Sequence, residues 1–235
     1  MVKKNIIYKN FNLVNKLNKN KMKKIFVTFK NLLSSSNQIL YSLNKKYNDS
    51  FDNKFISKFK KFNNFRLIGM GGSILGAKAI YKFLSPNVKR FQFIDSLSNN
   101  NFINNKKKNV TLVISKSGNT LETISNANIL IQKKQKNIFV TENKKNYLTE
   151  LANRLKAEVV HHNNYIGGRY SVLSEVGMLP AQLMGFKAEK FRRMNYLIKD
   201  KKFINSLIQN VLNIYTLRKK KTNSVILNYD DQSSD

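Results

Sequence analysis

Short apolar runs separated by amphipathic stretches organise the chain from Phe65 onward. Five runs of strand length, rich in β-branched and aromatic residues, predict strands: FRLIGM, FQFID, VTLVIS, NIFVT and AEVVHH. The stretches between them, chiefly 74–84, 120–133 and 145–155, space their apolar residues as helices do. Strands that alternate with helices form right-handed βαβ units, so the pattern predicts an α/β protein with a doubly wound parallel sheet.

Polar, mostly helical segments flank this alternation on both sides. Residues 1–60 are rich in Lys and Asn, and their apolar positions recur at helical spacing, which predicts two or more amphipathic helices. A second helical stretch is expected from about 172 to 217, broken near Pro180 and Gly185. The sequence SVILN near the end of the chain is compatible with one more strand.

Composition narrows the class of protein. With 235 residues, of which 41% are hydrophobic, the chain is long enough to bury a sizeable core. It contains no cysteine, which excludes disulfides, cysteine-ligated zinc and thiol nucleophiles. This agrees with a reducing compartment, so we expect a cytoplasmic protein. No stretch approaches the roughly 20 apolar residues of a membrane span, so no membrane partner is expected.

The formal net charge of +30 is unusually high and would by itself indicate a polyanionic partner. A nucleic-acid-binding surface usually concentrates charge in a patch with aromatic or arginine side chains that contact the bases. Here Lys and Asn are spread from Lys3 to Lys221 and Arg is scarce. We therefore interpret the charge as a compositional bias and expect no specific nucleic-acid recognition, only weak adhesion that salt disrupts.

The first candidate site is the glycine-rich sequence GMGGS at 69–73, where the first predicted strand turns into a helix. Glycines there allow a ligand to approach the backbone, and the helix amide groups can hold an anion. A dinucleotide fingerprint would require Gly where Ile74 stands, although Asp95 ends the next strand as a ribose-binding carboxylate would. The other nucleotide motif, G-x-x-x-x-G-K-[ST], has Ala77 at its lysine position. A tight turn without a ligand remains the structural alternative.

The second candidate site is SKSGNTLET at 115–123, which follows VTLVI directly and begins a helix. Four hydroxyl side chains, one ammonium group and a helix N-terminus converge there on a small volume, which suits a phosphate monoester. The alternative is that these residues only cap the helix. Capping explains one hydroxyl group but not four together with Lys116, so the pattern favours a phosphate site.

Together, the two loops resemble those of the sugar-isomerase (SIS) fold, a flavodoxin-like module that binds phosphosugars. A third segment, GGRYSVLSEVGMLP at 167–180, resembles the signature of the glucose-6-phosphate isomerase family, in which a GGR[FY]S turn leads into a helix. The three motifs occur in the order and at the spacing of that family. The resemblance covers roughly residues 65–230, and the basic N-terminal segment matches only in being helical. We therefore expect a basic helical segment at 1–60, an SIS-like phosphosugar-binding domain at 61–185, and a helical segment with the start of a second, truncated SIS-like domain at 186–235.

The resemblance also implies the reaction, the interconversion of glucose 6-phosphate and fructose 6-phosphate through an enediolate, and the residues involved. Arg169 falls on the family's catalytic arginine, where a guanidinium stabilises the developing oxyanion. No metal or organic cofactor is implied, and the full-length protein is expected to be a homodimer. The positions expected to bind substrate are Gly72 and Ser73 in the first loop, and Ser115, Lys116, Ser117, Thr120 and Thr123 in the second.

Two features depart from the family. The phosphate loop has Ser117, Gly118 and Asn119 where the common form is SKTFTTxET, which leaves the role of Asn119 open. Family members also continue well beyond the equivalent of Asp235, and their glutamate base, ring-opening histidine and C-terminal lysine lie in that continuation. We therefore expect a truncated chain that lacks the base. A non-catalytic phosphosugar-binding module and, less favoured, a dinucleotide-dependent enzyme are the alternatives.

The adjacent pair His161 and His162 precedes the GGR turn and therefore does not match the family's histidine. Two neighbouring residues of a strand point to opposite faces, which makes joint metal binding improbable. We expect a solvated pair at the end of a strand.

Overall fold

A computed structural model describes residues 19–84, 89–97 and 109–217. At its centre lies a five-stranded sheet in which every pair of neighbouring strands is parallel, in the order β2-β1-β3-β4-β5. The prediction of a doubly wound parallel sheet is confirmed. The strands are β1 (Asn64–Gly69), β2 (Arg90–Ile94), β3 (Val110–Ile114), β4 (Lys136–Glu142) and β5 (Glu158–His162).

Helices cover both faces of this sheet. Alternate residues of each central strand point to opposite faces, so each face contributes its own apolar layer. The helices are α1 (Lys19–Ser34), α2 (Gln38–Ser42), α3 (Asn53–Ser57), α4 (Leu75–Leu84), α5 (Leu121–Leu130), α6 (Tyr147–Leu155), α7 (Glu175–Leu183), α8 (Ala188–Phe191) and α9 (Lys201–Leu217).

The two apolar layers are packed by different helices. Leu112 of β3 points to the layer that also contains residues of α4 and α7. Its neighbour Val113 points to the layer formed with α5 and α6. The crossover helix α4 thus lies on one face of the sheet and α5 and α6 lie on the other, so both faces are covered, as in a doubly wound architecture. Burial of the central strands on both faces explains why the predicted runs are continuously apolar.

Within the described residues, helices precede the sheet from Lys19 and follow it as far as Leu217, with one difference from the sequence interpretation. α7 continues through Pro180, where a break was expected, and the chain turns only at Gly185, whose φ is +99°. A proline inside a helix removes one backbone hydrogen bond. Every residue of α7 except Gln182 is buried, and this packing holds the helix together.

The N-terminal part contributes directly to the main core. Ile56 of α3 and Phe59 just after it are buried in the same apolar layer as α4 and α7, while α1 contacts α9. The division at 60/61 and 185/186 stays a prediction, and the SVILN segment lies outside the described residues. Among the helices of the described ranges, none is long and apolar enough to cross a membrane.

Candidate functional site

The candidate loops meet at the carboxyl edge of the sheet. β1 and β3 are neighbours that end level with each other, since Gly69 is paired with Ile114. The loop at 70–73 therefore lies beside the loop at 115–120. In a doubly wound sheet, ligands bind at this edge, between strands whose connections run to opposite faces.

The GGR turn lies directly against the first loop. A Cβ atom added to Gly72 would lie 2.2 Å from the carbonyl oxygen of Gly168, so only glycine fits at this crossing. The hydroxyl of Ser171 donates to the carbonyl oxygen of Gly168 at 2.7 Å and approaches that of Gly72 at 3.2 Å. The structure thus brings the two segments expected to bind the sugar into contact.

The start of α5 is an N-terminus without a side-chain cap. Its N-cap residue, Thr120, makes no capping hydrogen bond; instead its Oγ1 lies 3.0 Å from the Oγ of Ser115. The first-turn amide groups of a helix have no acceptor within the helix. The capping alternative for this loop is therefore disfavoured, because the hydroxyl at the cap position does not cap.

Two of the three residues that depart from the family pattern, Gly118 and Asn119, tie the loop to α6. Gly118 has φ of +68°, and a Cβ atom there would lie 2.0 Å from the Oδ1 of Asn146. The carbonyl oxygen of Gly118 accepts from the amide of Leu148 at 3.2 Å. Asn119 accepts from the amide of Tyr147 through Oδ1 at 3.1 Å. Asn119 therefore satisfies an amide group in the first turn of α6, a role that the sequence left open.

Lys116 points toward protein acceptors in this structure. Its Nζ donates to the carbonyl oxygen of Asn164 at 2.7 Å and lies 3.3 Å from the Oε1 of Glu142. Burial raises the pKa of the Glu142 carboxyl, but hydrogen bonds from Lys144 and Lys116 outweigh it and leave that pKa below its usual value. The ammonium group thus lies at the edge of the loop, beside an ionised carboxylate.

The remaining predicted site residues differ in exposure. Ser73 is half-buried, and exposed Ser117 accepts from the amide of Asn119 through its Oγ. Thr123 is only 1% exposed, and its Oγ1 has no partner within the described part of the chain. The guanidinium group of Arg169 is exposed on the GGR turn. The loops therefore lie together at one edge of the sheet, whereas Thr123 is buried on the inner side of α5.

His162 was predicted to be solvated, and this prediction is wrong. His161 is exposed, as expected, but His162 is 2% exposed and is hydrogen-bonded through both ring nitrogens. Its position had a signal, since His162 shares a strand face with Val160, which is buried too. The partner, Glu175, is the first residue of α7 and had no such signal. The pairing of the two depends on the tertiary fold.

Two further observations bear on the alternatives. Asp95, the carboxylate that a dinucleotide reading would assign to a ribose, is paired with Lys78 at 3.3 Å. Within the described ranges, no three His, Asp or Glu side chains come together as a metal site would require.

The parallel sheet, its strand order and the anion-suited loops at one edge define an α/β protein with an SIS-like fold. Residues 13–227 match the model of the phosphoglucose isomerase family. The chain therefore belongs to that family.

Individual relatives agree with this assignment. The glucose-6-phosphate isomerase of Methanocaldococcus jannaschii is 31% identical over 205 residues, which cover 78% of this chain and 50% of the relative. That of Mycoplasmoides gallisepticum is 33% identical over 208 residues, covering 74% of this chain and 49% of the relative. The chain thus spans about half the length of the curated relatives it matches.

A solved structure shares the fold at lower identity. A hypothetical protein of Thermus thermophilus superposes with a TM-score of 0.62 at 21% identity, over 86% of this chain and 52% of that protein. At this identity the similarity shows the fold alone.

Proposed function

We propose that this chain supplies the phosphosugar-binding half of a glucose-6-phosphate isomerase, which interconverts glucose 6-phosphate and fructose 6-phosphate. The observation that carries the proposal is the junction of three segments at one sheet edge. The uncapped start of α5, the Gly72 loop and the turn that bears Arg169 lie together there. Membership of the phosphoglucose isomerase family supports the substrate and the reaction.

The phosphate group is proposed to bind at the loop from Ser115 to Thr120. A phosphate monoester carries nearly two negative charges and accepts several hydrogen bonds, which free amide groups and hydroxyls at a helix N-terminus supply. Ser115, Ser117 and Thr120 present hydroxyl groups along this loop, and Lys116 adds a positive charge at its edge. Thr123, buried in α5, is proposed to shape the loop from behind.

Arg169 is proposed to act on the sugar rather than on its phosphate. Aldose–ketose isomerisation moves a proton between two neighbouring carbons through an enediolate, so negative charge develops on oxygen. A guanidinium group held near that oxygen stabilises the charge. Gly72 and Ser73 are proposed to bind the substrate beside it, since their loop packs on the same turn.

The proton-transferring base is proposed to come from outside the described residues. The carboxylate of Glu175 already accepts a hydrogen bond from Tyr47 and lies against His162 in the interior. Glu122 stands in the first turn of α5, at the phosphate end of the proposed substrate. On the same family resemblance we propose a homodimer for the full-length protein. We propose a cytoplasmic location from the cysteine-free composition, and no sequence-specific nucleic-acid partner from the even spread of Lys along the chain.

The binding proposal is tested by calorimetric titration of the purified chain with fructose 6-phosphate and, as the matched ligand, with fructose. We predict that only the phosphorylated sugar binds measurably. Equal affinity for the two sugars would overturn the phosphate site. A full-length protein that binds the phosphosugar but shows no turnover would favour the alternative, a non-catalytic phosphosugar-binding module.

A further inference from the structure

A buried polar cluster lies on the inner side of the Arg169 turn. Glu175 is 2% exposed, accepts from the hydroxyl of Tyr47 at 2.8 Å, and lies 3.3 Å from the Nδ1 of His162 through Oε2. The Nε2 of His162 lies 2.9 Å from the carbonyl oxygen of Ile166. We call Tyr47, His162 and Glu175 the buried triad.

The hydrogen-bond partners fix where the protons lie. A backbone carbonyl can only accept, so Nε2 of His162 carries a proton and donates to Ile166. Nδ1 then faces a carboxylate oxygen, and this contact is favourable only with one proton between them. Burial raises the pKa of the Glu175 carboxyl, but the bonds from His162 and Tyr47 outweigh it and leave that pKa below its usual value. Glu175 is therefore ionised, and its carboxylate lies against the His162 ring.

The triad connects both ends of the segment that bears Arg169. His162 is the last residue of β5 and Glu175 the first of α7, and residues 163–174 lie between them. The bond from His162 to Ile166 fixes the backbone directly before the GGR turn. Glu175 also accepts from the amide of Asn163 at 3.4 Å, at the start of the same segment.

Other groups support the triad from the side of Tyr47. The guanidinium group of Arg192 lies 4.8 Å from the centre of the Tyr47 ring and donates to the carbonyl oxygen of Tyr47 at 3.3 Å. The same group binds both carboxylate oxygens of Asp49, at 2.6 and 3.0 Å. The titratable and charged groups around Glu175 are thus His162, Arg192 and Asp49, and each has a partner within the cluster.

We propose that Tyr47, His162 and Glu175 are positioning residues that hold the 163–174 segment in the conformation that presents Arg169 to the sugar. The identity of the ligand in this inference rests on the proposed function. The constraint on the segment rests on the hydrogen bonds of His162 and Glu175. Arg169 itself is exposed on a turn, so its placement depends on the backbone that carries it. Order imposed before binding reduces the entropy lost when the ligand binds.

The test compares Glu175→Gln and His162→Gln with a matched control, His161→Gln, which alters the exposed neighbour on the opposite face of β5. Tyr47→Phe removes only the hydroxyl group that donates to Glu175, and is therefore the mildest of the triad variants. Amide hydrogen exchange is followed by mass spectrometry in peptides that cover 163–174 and, for comparison, 110–130. We expect about tenfold faster exchange at 163–174 in the two triad variants, the loss expected for a bond to a charged group.

A second measurement separates positioning from general stability. Fructose 6-phosphate and inorganic phosphate are titrated into each variant. The triad variants should bind fructose 6-phosphate about tenfold more weakly, with a clearly smaller loss for inorganic phosphate, whose loop contacts the segment through Lys116 and Asn164. Uniformly faster exchange across both peptides, or equal losses for both ligands, would overturn the proposal. If the unmodified chain prefers neither ligand, the proposed function fails. The exchange data still show whether the triad constrains the 163–174 segment.

Discussion

Lys116 matches the phosphate-loop motif, yet its side chain contacts acceptors outside that loop. Its ammonium group binds the carbonyl oxygen of Asn164 and pairs with Glu142, whose carboxylate also holds Lys144. The motif places a positive charge beside the phosphate loop, and the structure agrees on that placement. The direction of the side chain depends on β4 and on the segment after β5, which only the tertiary fold brings near.

Replacement of Lys116 by Ala should weaken the binding of fructose 6-phosphate by about 1.5–3 kcal/mol, the range for a hydrogen bond to a charged group. Lysine side chains are flexible, and a bound phosphate competes with Glu142 for the ammonium group. Lys144→Ala is the matched control, because Lys144 also pairs with Glu142 but is not part of the loop. Calorimetry measures both. An equal loss in the two variants would assign the effect to Glu142 or to overall charge.

At the scale of elements, the strands were predictable and the connections less so. β1 to β5 coincide with the five apolar runs to within one residue at each end, because burial on both faces makes a parallel strand continuously hydrophobic. The three motifs were placed correctly at the ends of β1 and β3 and before α7. Pro180 was misjudged because local propensity disfavours it in a helix, whereas packing of α7 outweighs one lost hydrogen bond. His162 was misjudged because its partner Glu175 is brought to it only by the tertiary fold.

The junction of β5 and α7 should make the stability of the protein depend on pH. The folded-state pKa of Glu175 lies below its usual value of 4.5. A group with a depressed folded pKa stabilises the folded state above its unfolded pKa, and this contribution is lost as the pH falls through the folded pKa. We therefore expect the unfolding free energy to exceed that of Glu175→Gln most at neutral pH, and the difference to shrink below about pH 4.5.

Urea unfolding monitored by circular dichroism from pH 7 down to pH 3 measures this difference. Other carboxyl groups titrate in both proteins, so the comparison isolates Glu175. Glu150→Gln is the control, since Glu150 forms an exposed pair with Lys145, and such pairs contribute little. If the difference in unfolding free energy between wild type and Glu175→Gln stays constant or grows on acidification, the result would contradict an ionised Glu175 in the folded protein.

For the molecule as a whole, positive charge is not concentrated at the proposed site. A cavity of about 410 Å³ lies at the opposite edge of the sheet, near the start of β4 and β5. Half of the residues that line it are lysines: Lys58, Lys61, Lys133, Lys134, Lys136 and Lys156. Any adhesion of polyanions there should fall steeply with salt. Binding of phosphosugars at the carboxyl edge is therefore best measured at physiological salt, where such adhesion is suppressed.

The last prediction concerns turnover by the 235 residues alone. Arg169 and the phosphate loop should bind the substrate, but proton transfer at carbon also needs a positioned base, which typically contributes about 10²–10⁴-fold. Glu175 is held in the buried triad, and Glu122 stands at the phosphate end of the site. We expect phosphosugar binding without measurable isomerisation. A coupled assay from fructose 6-phosphate to glucose 6-phosphate, run on chain that is shown to bind the substrate, measures this turnover. Turnover at ordinary enzyme rates would place a base within these residues. The variants Glu175→Gln and Glu122→Gln would then test which carboxylate acts as that base.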